Sequence, residues 1–173
     1  MQPLKQDRVA AASQPGLLAP DTTGMNFYRA DPALTDLLRL HLPEALFRHI
    51  EPHLDRLGGR RSMQQNKCAR LADRHTPVLH QRDKFGRDTQ YIEYHPAYRE
   101  LENAAFGEFG IHALSIRKGI MGWPDKYPVV AKHAFTFLFN QTEFGMGGPI
   151  NVTDGCAKLL QPTLFVAGEL DPV

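Results

Sequence analysis

The chain has 173 residues, with 20 Lys and Arg against 19 Asp and Glu and a formal net charge of +1. That length suits one domain, and the balanced charge gives no net field that would indicate nucleic acid or an acidic membrane as a partner. Cys68 and Cys156 lack metal-site spacing, and the sequence shows neither a signal peptide nor an apolar run of membrane-spanning length, so we expect a reducing, cytoplasmic location and no membrane partner.

The N-terminal third predicts a leader followed by two helices. Residues 1–25 are rich in Pro, Gly, Gln, Ala and Thr without a hydrophobic period, which predicts a disordered leader. Asp31-Pro32 then supplies an N-cap and a first-turn proline to a helix with leucines at helical spacing. Pro43 interrupts that helix, and a second apolar stripe continues until Gly58-Gly59. A helical pair is therefore expected.

The next segment is predicted to be less regular. Residues Arg60 to Lys67 are polar and aperiodic, which favours an exposed connection, and a short helix containing Leu71 follows and ends at Thr76-Pro77. Between about 78 and 95, two stretches of extended pattern flank a turn at Asp83 to Arg87. This pattern predicts an extended arm or hairpin that crosses the helices.

The remaining elements are again helical. His95-Pro96 opens a helix that Gly110 ends, and Tyr127-Pro128 opens the most apolar helix of the chain. Gly145 to Pro149 ends that helix, and another is expected from Asp154 to Leu160. The fold class is therefore mainly α, a helical bundle with one arm or hairpin and no complete sheet. Four phenylalanines are interpreted as plain core rather than a cofactor box: Phe135, Phe137, Phe139 and Phe144.

Three motifs that could carry chemistry are set aside. His49 and His53 lie four residues apart, but Glu51 is one position late for the zinc-protease signature and no third ligand is marked, so we expect solvent-facing histidines. The glycine run Gly145 to Pro149 ends a predicted helix, unlike a dinucleotide-binding loop. A Gly-x-Ser-x-Gly nucleophile elbow does not occur in the sequence. No catalytic residue and no metal ligand is assigned.

Three spaced motifs carry a family resemblance. They are Asn26 to Leu34, Arg82 to Arg87 with Tyr94 to Tyr98, and Gln141 to Thr153. In this order they resemble the N-terminal helical domain of acyl-CoA dehydrogenases, more narrowly the adaptive-response, AidB-like branch, over about residues 26–160. The resemblance implies a flavoprotein oxidoreductase that removes the α-proton of an acyl thioester and transfers a hydride to FAD.

The same resemblance places most of that chemistry in other domains. Family members add a middle β-domain and a C-terminal helical domain, FAD binds mainly between those two, and the catalytic base is a carboxylate of the last. We therefore expect a truncated N-terminal fragment that binds no FAD and is inactive alone. An acyl-CoA-type substrate and a homo-oligomer are implied for the full-length family. The alternative is a stand-alone helical binding or interaction module without catalysis.

The resemblance also marks one turn as the candidate site. The turn from Met146 to Thr153 is expected to face the substrate or flavin cavity. Relatives in this branch tend to have Cys-Pro where this chain has Gly148-Pro149. The residues expected to face the cavity are Met146, Gly147, Pro149, Asn151 and Thr153.

Residues 161–173 are predicted to be a tail of foreign origin, from a frameshift, a gene fusion or chance. Gln161 to Asp171 is similar to the late strand of α/β-hydrolases that ends in the triad acid, a position that Asp171 would hold. A serine elbow is missing from the sequence, so hydrolysis is not expected. The polar stretch from Arg60 to Lys67 is likewise interpreted as a local insertion or a reading-frame scar.

Overall fold

The computed structural model describes residues 24–169, without the side chains of residues 60, 61, 158 and 161–169. The predicted leader thus lies almost wholly outside the described residues, as does Asp171. The helices and strands are α1 (Phe27–Ala30), α2 (Pro32–His41), α3 (Glu44–Arg56), α4 (Ser62–Arg74), β1 (Val78–Arg82), β2 (Asp88–Glu93), α5 (Pro96–Glu102), α6 (Val129–Asn140) and α7 (Gly147–Glu169). Shorter helical turns cover Leu57–Arg61, Asn103–Glu108, Ile111–Ala113 and Ile120–Gly122.

This architecture confirms the predicted fold class. The described residues form a mainly helical bundle whose sheet has two strands, β1 and β2. The core lies between the N-terminal helices and α6. Its fully buried large side chains include Leu38, Ile50, Leu54, Leu101, Phe109, Leu114, Phe135, Leu138 and Phe139. Within residues 24–169, no helix combines the length and the apolar character needed to cross a bilayer.

The helix starts follow the local signals of the sequence. The side chain of Asp31 accepts a hydrogen bond from the N–H of Leu34 and caps α2, and Pro32 occupies the first turn. His95 caps α5 in the same way, with its Nδ1 3.1 Å from the nitrogen of Ala97. These contacts involve only residues two or three positions apart, so the sequence could predict them.

The glycine pair after α3 forms a kinked joint rather than a simple helix end. Gly59 leaves the helical region at φ −98° and ψ −112°. The Ser62 hydroxyl lies 2.9 Å from the carbonyl oxygen of Gly58 and 2.6 Å from that of Gly59, and it satisfies acceptors that the kink frees. Gly58 also allows α1 to approach closely, because a Cβ at this position would lie 2.6 Å from the nitrogen of Tyr28.

The expectation of an irregular connection from Arg60 to Lys67 is wrong, although most of its described side chains are exposed as expected. The chain is helical there, and α4 runs from Ser62 to Arg74. Ser62 and Gln65 are buried despite their polarity. The Ser62 hydroxyl donates to a backbone carbonyl and Gln65 Oε1 accepts the Thr142 hydroxyl, which offsets part of the cost of burial, whereas the buried Gln65 Nε2 has no hydrogen-bond partner among the described residues.

The predicted hairpin is confirmed, although it is not covered by the helices. β1 pairs antiparallel with β2 in the register Val78 to Glu93 and Leu79 to Ile92. The carboxylate of Asp83 accepts the N–H groups of Phe85 and Arg87 and closes the turn. Every residue of both strands is exposed to solvent. The hairpin is therefore an arm that projects from the bundle.

Two expectations for the last helices are corrected. Phe135 and Phe139 are core residues, but Phe137 and Phe144 are exposed, since α6 ends at Asn140 and its outer side faces solvent. The final helix begins at Gly147 rather than Asp154.

The strand predicted for the tail is also wrong, since α7 continues to Glu169. A helix pairs its own backbone N–H and C=O groups, whereas a lone strand would leave them unpaired. The foreign origin of the tail stays a prediction.

Candidate functional site

The turn between α6 and α7 is organised by one carboxylate. Glu143 Oε1 accepts the N–H of Gly145 at 2.9 Å, and its Oε2 accepts the N–H of Met146 at 2.7 Å. The N–H of Gly147 donates to the carbonyl oxygen of Phe144 at 2.9 Å. Glu143 thus caps the turn and occupies donors near the start of α7, where a negative charge is also favoured by the helix dipole.

A buried amide fastens this turn to α4. The Thr142 hydroxyl lies 3.1 Å from Gln65 Oε1 and 2.8 Å from the carbonyl oxygen of Phe139. Gln65 is only 3% exposed, so this contact fixes the end of α6 against the side of α4. Sequence reasoning missed Gln65 because its neighbours are polar and no periodic signal sets it apart.

The five predicted site residues lie together at the start of α7 but point in different directions. Met146 is buried and packs in the hydrophobic core. Gly147 is also buried, and a Cβ there would lie 2.5 Å from Asn140 Oδ1. Pro149, Asn151 and Thr153 are exposed. The first two residues therefore support the turn, and the last three form its open side.

The open side has one internal contact. The side-chain nitrogen of Asn151 donates to the carbonyl oxygen of Gly147 at 2.8 Å. Gly148, between them, has no described heavy atom within 4 Å of its Cβ position apart from its chain neighbours and its own helix backbone, so the described surface is open there. A side chain or a ligand could approach the backbone closely at this point.

A buried ion pair holds α7 against α6. Lys132 Nζ lies 2.6 Å from Asp154 Oδ2, and the two side chains are 1% and 6% exposed. The Ser115 hydroxyl donates to Asp154 Oδ1 at 2.9 Å. A buried charge pair needs such additional hydrogen bonds to offset its desolvation. The three residues fix the direction of α7 just after the candidate turn, and sequence reasoning did not identify any of them.

The histidine pair on α3 is only partly exposed, whereas solvent-facing histidines were expected. His49 and His53 are half-buried, and the His49 ring lies 5.2 Å from that of Trp123. Burial, with smaller effects from Arg56 and His49, lowers the pKa of His53 below its ordinary value of 6.5. Within residues 24–169, no group of His, Cys, Asp or Glu is arranged to hold a metal ion.

The turn does not by itself fit a flavin cofactor. The N–H groups of residues 145–147 are already bonded within the turn, and Pro149 has none. The amide of Asn151 is used by Gly147. Cofactor sites need convergent donors and a concave surface.

Comparison with known proteins defines the family. The architecture is that of a helical domain from the acyl-CoA dehydrogenase class. More particularly, a family model described as the adaptive response protein AidB N-terminal domain matches residues 18–172, and the chain belongs to this family. The resemblance inferred from the sequence is thereby confirmed.

Two relatives illustrate the relationship. The chain is 25% identical over 135 residues to acyl-CoA dehydrogenase family member 11 of Caenorhabditis elegans, covering 78% of this chain and 21% of that protein. The solved structure titled "Bd2924 apo-form" matches with a TM-score of 0.68 and 25% identity, covering 83% of this chain and 28% of that one. The chain thus spans less than a third of the length of either relative.

Proposed function

We propose that this chain is the N-terminal helical domain of an FAD-dependent acyl-CoA dehydrogenase-like oxidoreductase and is inactive without the other domains. The observation that carries the proposal is the family match over residues 18–172. The matched region also covers only 21% of the Caenorhabditis elegans relative. An acyl-CoA-type substrate, a homo-oligomer and a cytoplasmic location belong to the same proposal.

In this proposal the turn at the start of α7 forms part of the wall around the acyl end of the substrate. Pro149, Asn151 and Thr153 supply its exposed side, and Met146 and Gly147 anchor it to the core. The buried contacts of Gln65 and Asp154 support this role, because a substrate-positioning surface must hold its geometry. FAD would supply the hydride acceptor from elsewhere, and the residues of this chain would exclude water and orient the substrate.

The test uses the purified chain supplied with FAD. Flavin content is measured after desalting, and acyl-CoA oxidation is followed with an artificial electron acceptor. We expect neither stoichiometric flavin nor turnover. Flavin retained at one per chain, with acyl-CoA oxidation, would overturn the proposal that the chain is inactive alone.

A second candidate is an interaction module without catalysis. It is favoured by the exposed hairpin and by exposed apolar side chains on α7, which include Val152, Leu159 and Leu160. Size-exclusion chromatography and thermal unfolding test it. A cleanly monomeric, cooperatively unfolding protein that captures no partner would count against this candidate.

A further inference from the structure

A concave site lies on the side of α4 away from Gln65. A cavity of about 410 Å³ separates the first described residues from this helix, and we call it the α4 cavity. Its volume falls within the range of small-molecule pockets. Its lining includes Met25, Phe27, Met63, Lys67, Arg70 and Arg74.

The spacing of residues along α4 explains how one face of the helix lines the cavity while another face contacts the bundle. Met63, Lys67, Arg70 and Arg74 follow one another at intervals of four, three and four residues, so they share one helical face. Gln65 is directed into the bundle instead. Met25 and Phe27, in the first described residues of the chain, line the cavity opposite α4 and make it partly apolar.

The charge of the cavity is unbalanced. Its described lining contains three cationic side chains and no carboxylate. None of the three forms an ion pair with another described residue. Cations three and four residues apart on a helix repel each other, which costs stability. An anion in the cavity would relieve that repulsion, and the local positive potential would raise its concentration there.

We propose that the α4 cavity binds a single-chain amphiphile with an anionic head group, a phosphate or a carboxylate. The head group is held by Lys67, Arg70 and Arg74, and the apolar chain lies against Met25, Phe27 and Met63. Arginine and lysine give charge-assisted hydrogen bonds to such anions. This site is separate from the α6–α7 turn and does not depend on the proposed oxidoreductase role.

Calorimetric titration of the whole chain with dodecyl phosphate, kept below its micelle concentration, tests the proposal. We expect saturable binding of one dodecyl phosphate molecule per chain. Titration with dodecanoate tests the carboxylate head group in the same way. Inorganic phosphate should bind at least about tenfold more weakly, since burying a chain of several methylenes contributes more than one factor of ten. If inorganic phosphate bound as tightly as dodecyl phosphate, the proposal that the cavity binds an apolar chain would be overturned.

Two double variants make the test specific. Lys67→Gln/Arg70→Gln removes two cations from the cavity, and Lys84→Gln/Arg87→Gln removes two from the exposed hairpin turn. We expect the first to weaken dodecyl phosphate binding by at least roughly tenfold and the second to leave it unchanged. Equal effects of both variants, or no saturable binding by the unmodified chain, would refute the site. Circular dichroism confirms that each variant is folded.

Discussion

At the scale of single residues, Lys132 and Asp154 form a buried ion pair between α6 and α7. Both side chains are almost completely removed from water, and Ser115 completes the coordination of the carboxylate. Breaking a buried pair leaves an uncompensated charge. We predict that Lys132→Met lowers the free energy of unfolding by about 3–5 kcal/mol, measured by urea denaturation.

A double variant provides the control for this prediction. Lys132→Met/Asp154→Leu removes both charges, so it should be less destabilising than Lys132→Met alone. That result would show that each buried charge is needed mainly to neutralise the other, rather than for the packing of its side chain. The explanation would be contradicted if the double variant lowered the free energy of unfolding by as much as Lys132→Met and Asp154→Leu do together.

The half-buried histidines make stability depend on pH. Burial lowers the pKa of His53 and of His112, with further lowering by nearby cationic groups. The unfolded chain therefore takes up protons at a higher pH than the folded chain. Stability is highest above the ordinary histidine value of 6.5 and falls as the pH drops below it.

We predict that the urea midpoint falls between about pH 7.5 and about pH 5.5, and that His53→Gln reduces this fall. Glutamine keeps a polar side chain of similar length but cannot take up the proton. The quantity compared between the two proteins is the change of the urea midpoint with pH, not the absolute stability. An unchanged slope in His53→Gln would show that His53 does not contribute.

At the scale of elements, the joint between α3 and α4 depends on a close backbone contact. A Cβ on Gly58 would meet the backbone nitrogen of Tyr28 at 2.6 Å, and backbone cannot rotate away as a side-chain end can. We predict that Gly58→Ala lowers the free energy of unfolding by about 1–3 kcal/mol, because α1 must shift. Thermal unfolding followed by circular dichroism measures the effect.

Gly155 is the matched control for this element. It lies in α7, is exposed and, apart from its chain neighbours and the backbone of its own helix, has no described heavy atom within 4 Å of its Cβ position. Gly155→Ala should stabilise the chain by up to about 1 kcal/mol, because alanine loses less backbone entropy in a helix. Similar effects of the two substitutions would show that the contact with α1 is not responsible.

The elements also differ in how well sequence could predict them. The hairpin follows from a turn whose aspartate bonds to residues two and four positions on, which is a local signal. The full length of α4 could not be predicted, because its polar first half is stabilised by contacts with distant residues. Gln65 is 77 positions from Thr142 in the chain.

At the scale of the whole molecule, the described surface exposes apolar side chains on α7. Val152 and Leu159 are 65% and 76% exposed on one side of α7. Their spacing of seven residues places them on the same helical face. Contiguous exposed apolar surface is typical of sites that contact another protein.

We predict that the chain alone self-associates through this face at high concentration. Val152→Gln/Leu159→Gln should reduce the self-association, measured by sedimentation velocity, because it removes apolar surface that association would bury. Leu40→Gln, at an exposed position on α2, is the control and should leave it unchanged. Equal loss in the control would contradict a role for α7.

The sequence by itself determined the family, the helical class, the hairpin and most helix starts. The family was indicated by a resemblance that three spaced motifs carry, whereas the helical class, the hairpin and the helix starts depend on periodicity, caps and turn residues that act over a few positions. Only the tertiary structure decided which polar residues are buried and how the candidate turn is held. Gln65, Lys132 and Asp154 have ordinary local surroundings in the sequence, and each acquires its role from a partner on another element. Burial and pairing depend on that packing, and the spacing of residues along one element does not specify it.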